Sequence, residues 1–446
     1  MEDITRRRAL GLGLGGLATT ALAACGAPGM QAGQIQPVLP PAEGPVSLTY
    51  WAWLKDLQNV CDIWNSQNPN IQVQAEFMEP GNDGGYAKQR AASDAGGGPD
   101  IGQIEFRSVP DFVLGGALAN LAPYGARDLA SRYDRTTWEQ VNINEGIYAI
   151  PQDSGPMGWF YQTAPLEEIG AAPPVTWEEW EAVAREARNL SPDTYLEVFN
   201  VADASFFVSM AIQAGAQWFS TEGDEWVMNF TDEPTLRVAE FWDRMIDDDL
   251  VNTGYGAFSP GWYAAAGEQK ILSVTTGSWG DALVQSTSGG AGNWKVAPMA
   301  SWPDMGYGSS QLGGSTAAIF ANSQHPREAL EFVTWMTSTP EGIDAMIKNS
   351  GIGWSVSPDY IGETRQAPSE FFSGQNYNEE VFVSASQDQN LDWNWAPMTE
   401  RIFLILSDGF RTKLTAGTSF VDSLAEAQRR TVDAFRNVGL SVRAGG

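Results

Sequence analysis

The sequence predicts an α/β fold, and two stretches of the chain carry this prediction. Residues 46–53 alternate apolar and polar positions, an amphipathic segment follows, and residues 71–77 alternate again. This order of strand, helix and strand is typical of the start of a parallel α/β layer. The second stretch, residues 146–190, again combines strand-like runs with an amphipathic helix. With 446 residues the chain is long enough for about two to three domains and a sizeable core.

Residues 146–161 are predicted to form two strands separated by a turn. The apolar run 146–150 is stopped by Pro151, the polar residues 152–156 follow, and the aromatic run 159–161 resumes the strand pattern. Two strands joined in this way can lie in different sheets.

A helix is predicted from Thr176 onwards. Thr176 and Glu179, three residues apart, have the spacing of a capping box, and apolar residues recur behind them at helical intervals. Tryptophans on such apolar helix faces are expected to be core residues, namely Trp64, Trp177, Trp180 and Trp242.

Five short motifs follow one another along the chain. Residues 146–151 read G-I-Y-A-I-P, residues 161–166 read Y-Q-T-A-P-L, residues 170–179 read G-A-A-P-P-V-T-W-E-E, residues 267–279 end in G-S-W, and residues 312–319 read L-G-G-S-T-A-A-I. In order and spacing these motifs resemble those of the family 1 extracellular solute-binding proteins, the receptors of bacterial ABC importers for sugars and related solutes. Gln162 departs from the family pattern, which usually has Asn at that position. The resemblance covers nearly all of residues 46–436.

The resemblance implies a two-lobed fold of the periplasmic-binding-protein type II, with the ligand cleft between the lobes. The chain is expected to cross the hinge three times, near residues 151–157, 306–312 and 353–358. The expected lobes are residues 46–152 plus 310–354, and residues 153–309 plus 355–446. Such lobes close on their ligand, and binding shifts the populations of the open and closed forms.

The N-terminus is predicted to be an export and anchoring segment. Residues 1–24 form the signal peptide, in which residues 5–10 resemble a twin-arginine motif; the alternative is the positive region of a general signal. Residues 22–25 resemble a lipobox, so Cys25 is the expected lipidation site, and residues 25–45 form the lipidated cysteine and a flexible linker. Cys61 then has no partner for a disulfide and is expected to be a buried thiol.

Composition excludes several function classes. The net charge of −29 argues against binding nucleic acid or an anionic membrane surface directly, so the lipid is the only expected membrane contact. The single histidine, His325, argues against a histidine-based catalytic triad or metal cluster. We expect a monomer that is not an enzyme and has no catalytic residues, cofactor or metal.

The candidate ligand-binding residues are aromatic side chains in loops and polar residues at strand ends. A sugar has an apolar face that stacks on aromatic rings and hydroxyl groups that require polar partners. The resemblance places the ends of several strands at the cleft, and loop aromatic residues complete the set. The candidates are Trp53, Glu105, Phe206, Trp262, Trp279, Asp281, Gly314, Ser315, Trp354, Trp393 and Trp395.

The expected function is capture of a mono- or oligosaccharide by hinge closure and its delivery to the permease subunits of an ABC importer. Three alternatives remain open at this point. The same fold can bind another solute, such as a polyamine, which the acidic composition would suit. Paired carboxylates and aromatic rings also describe a glycoside-active enzyme. A scaffolding lipoprotein would respond to no small molecule.

Overall fold

A computed structural model describes residues 37–81 and 84–445 of the chain. The predicted signal peptide, Cys25 and the linker up to residue 36 therefore lie outside the described residues. Within the described ranges, no helix has both the length and the apolar character that crossing a membrane requires.

The described chain alternates strands and helices along its length. The strands are β1 (Val46–Ala52), β2 (Ile71–Phe77), β3 (Ile101–Glu105), β4 (Asn142–Ile143), β5 (Gly146–Ile147), β6 (Ile150–Gln162), β7 (Glu197–Val198), β8 (Phe219–Glu222), β9 (Glu225–Met228), β10 (Val251–Asn252), β11 (Ser273–Gly277), β12 (Trp294–Pro298), β13 (Gln311–Ile319) and β14 (Val442–Ala444). The helices are α1 (Leu57–Gln67), α2 (Gly85–Asp94), α3 (Val109–Leu114), α4 (Arg135–Glu139), α5 (Thr163–Glu168), α6 (Trp177–Leu190), α7 (Ser205–Ala214), α8 (Glu233–Asp247), α9 (Pro260–Gly267), α10 (Gly280–Val284), α11 (Pro326–Ser338), α12 (Pro340–Ala345), α13 (Val383–Gln387), α14 (Thr399–Ala416) and α15 (Phe420–Asn437).

A seven-stranded sheet runs through the centre of the molecule, and it confirms the predicted α/β class. β2, β1 and β3 lie side by side and parallel, as the strand, helix, strand pattern predicts. β13 is antiparallel to both β3 and β6, and β11 and β12 are antiparallel to β6.

β6 is one continuous strand of 13 residues, so the prediction of two strands separated by a polar turn is wrong. Pro151 lies opposite Thr316 and Pro156 lies opposite Gln311, and the pairing of β6 with β13 shifts register next to both positions. Proline has no N–H to donate to a neighbouring strand, and an irregularity in the pairing is where that loss is tolerated. The strand therefore continues through both prolines.

β6 joins the two lobes because it changes partners along its length. Its residues 150–156 pair with β13, which continues the sheet to β3, β1 and β2 in the first lobe. Its residues 157–162 pair with β11 and β12 in the second lobe. A third segment lies beside the centre of β6, where the Ser154 backbone N–H donates to the Trp354 carbonyl at 3.0 Å. The exact lobe boundaries stay a prediction.

Local sequence signals agree with the observed helix starts. The Thr176 hydroxyl accepts a hydrogen bond from the Glu179 N–H at 3.1 Å, and the Glu179 carboxylate accepts one from the Thr176 N–H, which confirms the capping box. The four helix-face tryptophans predicted to be core are buried, as is Cys61. Aromatic packing thus anchors the amphipathic helices to their lobes.

The end of the predicted linker lies on the first lobe. The Leu39 N–H donates to the Tyr124 hydroxyl at 3.0 Å, and the Ala42 N–H donates to the Glu328 carboxylate at 2.7 Å. These contacts attach residues 39–42 to the lobe surface before β1 begins.

Candidate functional site

A cavity of about 290 Å³ lies between the two lobes. The first lobe contributes the end of β3 and the turn behind it, and the second lobe contributes β11 and the start of α7. The first residues of β13, at the hinge, form a third wall. The cavity is therefore shaped by both lobes and changes when they move.

Aromatic rings form much of the cavity lining. They are Phe106, Phe206, Phe258, Trp279, Trp395 and Phe403. Phe258 packs against Trp279 with ring centroids 5.9 Å apart, and Trp395 packs against Phe403 at 6.1 Å. Flat apolar surfaces of this kind suit a ligand with an apolar face.

Trp279 is fixed to the hinge by its indole nitrogen. The Nε1–H donates to the Leu312 carbonyl at 2.7 Å. Gly313 and Gly314 follow with φ values of 77° and 94°, which favour glycine. A Cβ on Gly277 would lie 2.5 Å from the Trp279 Nε1 atom, so glycine at that position lets the ring lie against the backbone.

A charged cluster connects the lobes at one side of the cavity. The Arg107 guanidinium lies 2.9 Å from a Glu105 carboxylate oxygen and 3.6 Å from one of Glu400. It also donates to the Ser205 hydroxyl at 3.4 Å, and the Tyr86 hydroxyl donates to Glu105 at 3.1 Å. Glu105 therefore presents a hydrogen-bonded, charge-compensated carboxylate to the cavity.

Glu197 is a buried carboxyl group in the cavity wall. Its side chain lies beneath β11, where the Thr275 N–H and hydroxyl both donate to it, the hydroxyl at 3.0 Å. Burial raises the pKa of Glu197 to about 7, although the Thr275 hydrogen bonds act in the opposite direction.

A polar network lies under the hinge beside the cavity. The Ser315 hydroxyl donates to Asp153 at 2.5 Å, and the Ser315 N–H donates to the same carboxylate at 2.7 Å. Gln103 and Gln152 donate from their amides to the Ser315 hydroxyl at 3.0 and 3.3 Å. Burial raises the pKa of Asp153 to about 6. The network joins β3, β6 and β13 where the chain crosses between lobes.

Two buried polar atoms of cavity-lining residues have no hydrogen-bond partner among the described residues. They are the Thr276 hydroxyl and the Gln311 amide nitrogen. A buried polar group left unpaired costs about 1–3 kcal/mol.

The structure brings five of the predicted site residues together around this cavity. They are Glu105, Phe206, Trp279, Gly314 and Trp395. They come from β3, α7, the segment after β11, β13 and the segment before α14, so only the folded chain unites them.

The other six predicted residues do not line the cavity. The ring of Trp53 packs on Tyr86, and Ser315 belongs to the network under the hinge. The carboxylate of Asp281 forms a buried ion pair with Arg365 at 3.2 Å. The remaining three are buried tryptophans: Trp262, Trp354 and Trp393. Contact of these six with a ligand stays a prediction.

The lining residues that escaped the sequence prediction include Arg107, Glu197, Phe258 and Phe403. Two of them carry a signal. Arg107 stands two residues after Glu105, and Glu197 is a lone charge within an apolar run. Phe258 and Phe403 have no comparable signal, since their positions depend on tertiary packing.

The sequence profile described as bacterial extracellular solute-binding protein matches residues 47–343, about two thirds of the chain. A lactose-binding protein of Rhizobium radiobacter is 25% identical over 291 residues, which cover 60% of this chain and 66% of that protein. An arabinooligosaccharide-binding protein of Bacillus subtilis (strain 168) is 21% identical over 310 residues, 67% of this chain and 71% of that protein.

Solved structures share the fold. The galacto-N-biose/lacto-N-biose I-binding protein of an ABC transporter from Bifidobacterium longum, in complex with lacto-N-biose, superimposes with a TM-score of 0.79 and 26% identity. The match covers 90% of this chain and all of that one. The extent of the profile match, together with the two-lobed fold, shows that the chain belongs to the family of bacterial extracellular solute-binding proteins.

Proposed function

We propose that this protein captures a carbohydrate between its lobes and delivers it to the permease subunits of an ABC importer. The observation that carries the proposal is the combination of aromatic rings and hydrogen-bonding side chains in one cavity between the lobes. The names of the relatives, which refer to lactose and arabino-oligosaccharides, support the same ligand class.

The cavity lining matches the two kinds of surface on a sugar. The rings of Trp279 and Phe206 offer faces for the apolar side of a pyranose or furanose. Glu105, Arg107 and Asn200 offer hydrogen-bonding groups for its hydroxyls. We propose the five predicted residues that line the cavity as ligand contacts, with Arg107 as a sixth.

The acidic residues of the cavity support binding over catalysis. Glu105 is paired with Arg107, Glu197 accepts hydrogen bonds from Thr275, and Asp203 accepts one from the Ser205 N–H, so each carboxyl group already has a partner. We therefore propose a receptor without enzymatic activity. A polyamine remains the second candidate ligand, because the carboxylates of Glu105 and Asp203 outnumber the one arginine in the lining.

We also propose that the protein acts outside the cytoplasmic membrane as a monomer held by lipid on Cys25. The contacts of residues 39–42 with the first lobe support a linker whose free part is shorter than the predicted 25–45.

A tryptophan fluorescence titration tests the proposed ligand class. The protein beginning at Gly26 is titrated with mono- and oligosaccharides, and with polyamines as the contrast. We expect a saturable response to one sugar series and at least about a tenfold weaker affinity in Trp279→Ala, or about 1.4 kcal/mol. The control Trp335→Ala removes a partly buried ring of the first lobe that does not line the cavity, and should bind normally. A response to a polyamine alone would show that the ligand is a polyamine and not a sugar. No response to either class would refute the proposal.

A further inference from the structure

A second cavity of about 500 Å³ adjoins the first at Trp395, which lines both. On the side of the first lobe, Asn142 of the second cavity follows Gln140 of the first by two residues. On the side of the second lobe, the second cavity is lined by β8, including Thr221. It therefore continues the same cleft between the lobes.

Trp395 is held in place at the junction of the two cavities. Its Nε1–H donates to the Gln140 side-chain oxygen at 2.9 Å, and the Gln140 amide donates to Gln311 at 2.8 Å. Its ring packs against Phe403 of the first cavity. Because the ring is only partly buried, it offers an apolar surface at the boundary.

Neutral hydrogen-bonding side chains dominate the second cavity. They are Asn142, Asn144, Gln217, Ser220, Thr221 and Asn394, with Asp392 as the one carboxylate. Within the described part of the chain, the side chains of Asn142, Ser220 and Thr221 make no hydrogen bond to protein, and all three are exposed. Amide and hydroxyl groups both donate and accept, which suits the hydroxyls of a neutral sugar.

The size of the first cavity limits what it can enclose alone. Its 290 Å³ stands at the lower end of the roughly 300–1,000 Å³ of small-molecule sites. A longer chain of sugar units would therefore have to leave it, and the second cavity lies directly beside its wall.

We propose that the ligand is an oligosaccharide that passes Trp395 and places its distal units in the second cavity. This inference rests on the proposed sugar-binding function. The first cavity takes the end of the chain, the Trp395 ring supports the unit at the junction, and the side chains of Asn142 and Thr221 bind the hydroxyls beyond it. The second cavity thereby selects for ligand length.

Calorimetric titrations with ligands of graded length test this inference. The purified protein is titrated with malto-, galacto- and arabino-oligosaccharides of one to four units. In the series that binds, we expect the tetrasaccharide to bind at least about tenfold more tightly than the disaccharide. Thr221→Trp, which fills the second cavity from an exposed strand position, should weaken tetrasaccharide binding by at least about tenfold and leave disaccharide binding unchanged.

Two further variants separate a local effect from general damage. Asn142→Ala removes one hydrogen-bonding group without adding bulk and should weaken only the tetrasaccharide, by several-fold. Thr415→Trp adds the same ring at an exposed position near the end of α14. This position lies about 24 Å along the helix axis from Thr399, the first residue of α14, and the variant should bind both ligands normally.

The outcomes distinguish this inference from the proposed function. Two results would show that the second cavity is not a binding site: equal affinity for the disaccharide and the tetrasaccharide, or normal tetrasaccharide binding by Thr221→Trp. Either result would leave the proposed sugar-binding function intact. No binding of any sugar would overturn the proposed function and, with it, this inference.

Discussion

At the residue scale, Glu197 shows how a cavity wall can carry a carboxyl group without a fixed charge. Its side chain is 2% exposed, and no basic side chain forms an ion pair with it within the described residues. Burial raises its pKa to about 7 because the charged form is poorly solvated there. In the unfolded chain the same group ionises near pH 4.3.

This difference predicts a pH dependence of stability. Between about pH 4.5 and 7 the folded state keeps a proton that the unfolded state has lost, so this group lowers the free energy of unfolding as the pH rises. Glu197→Gln removes that contribution. The free energy of unfolding of the variant, relative to that of the wild type, should therefore be higher at pH 8 than at pH 5, by up to about 3 kcal/mol. Urea unfolding at both pH values measures it.

A matched substitution serves as the control for this prediction. Glu186→Gln, on the exposed face of α6, makes the same chemical change outside the cavity and should show nearly the same difference from the wild type at both pH values. If Glu197→Gln behaved in the same way as this control, burial of the Glu197 carboxyl group would not be the cause.

At the element scale, one arginine fastens the segment after the third crossing to the second lobe. Arg365 forms an ion pair with Asp281 at 3.2 Å and donates to the Ile352 carbonyl at 2.6 Å. The Tyr377 hydroxyl donates to the same Asp281 carboxylate at 2.7 Å. Asp281 lies in α10, which begins directly after Trp279, so the network helps to position this cavity residue.

Breaking this buried pair should destabilise the protein strongly. Both side chains are 9% exposed, and Arg365→Met leaves the Asp281 charge buried without its partner. We expect a loss of about 3–5 kcal/mol in the free energy of unfolding. Arg411→Met breaks an ion pair of the same 3.2 Å length whose side chains are 51% and 55% exposed, and should cost about 0–1 kcal/mol. Equal losses in denaturant unfolding would contradict this account.

Elements whose signals are local were predictable from sequence, and those set by a partner strand were not. Thr176 and Thr339 cap helices through atoms only three residues away, so their sequence spacing is sufficient. The continuity of β6 through Pro151 depends on irregular pairing with β13, more than 150 residues later. No pattern within residues 146–161 contains that information.

At the scale of the whole molecule, the site too was only partly predictable, because sequence indicates strand ends but not tertiary packing. The family resemblance pointed to Trp279 and Glu105 because it places the ends of their strands at the cleft. It did not separate Trp279, which faces the cavity, from Trp262, which packs behind Phe258 with ring centroids 4.9 Å apart. Both are loop tryptophans in sequence, and only packing decides which face is open.

The two lobes meet across the cleft through contacts that any opening must break. Arg107 of the first lobe reaches Ser205 and Glu400 of the second, and the Ser108 hydroxyl donates to Glu400 at 2.7 Å. The Trp395 indole N–H donates a hydrogen bond to the Gln140 side-chain oxygen across the same cleft. A ligand that bridges both walls would add to these contacts and favour the closed form.

Small-angle X-ray scattering of the protein along a sugar titration tests this account most directly. The account predicts that the radius of gyration falls as the sugar binds, with the same midpoint as the fluorescence response. Trp279→Ala should need at least about tenfold more sugar for the same contraction. Scattering that stays unchanged when the sugar is bound at saturation would contradict capture by closure of the two lobes.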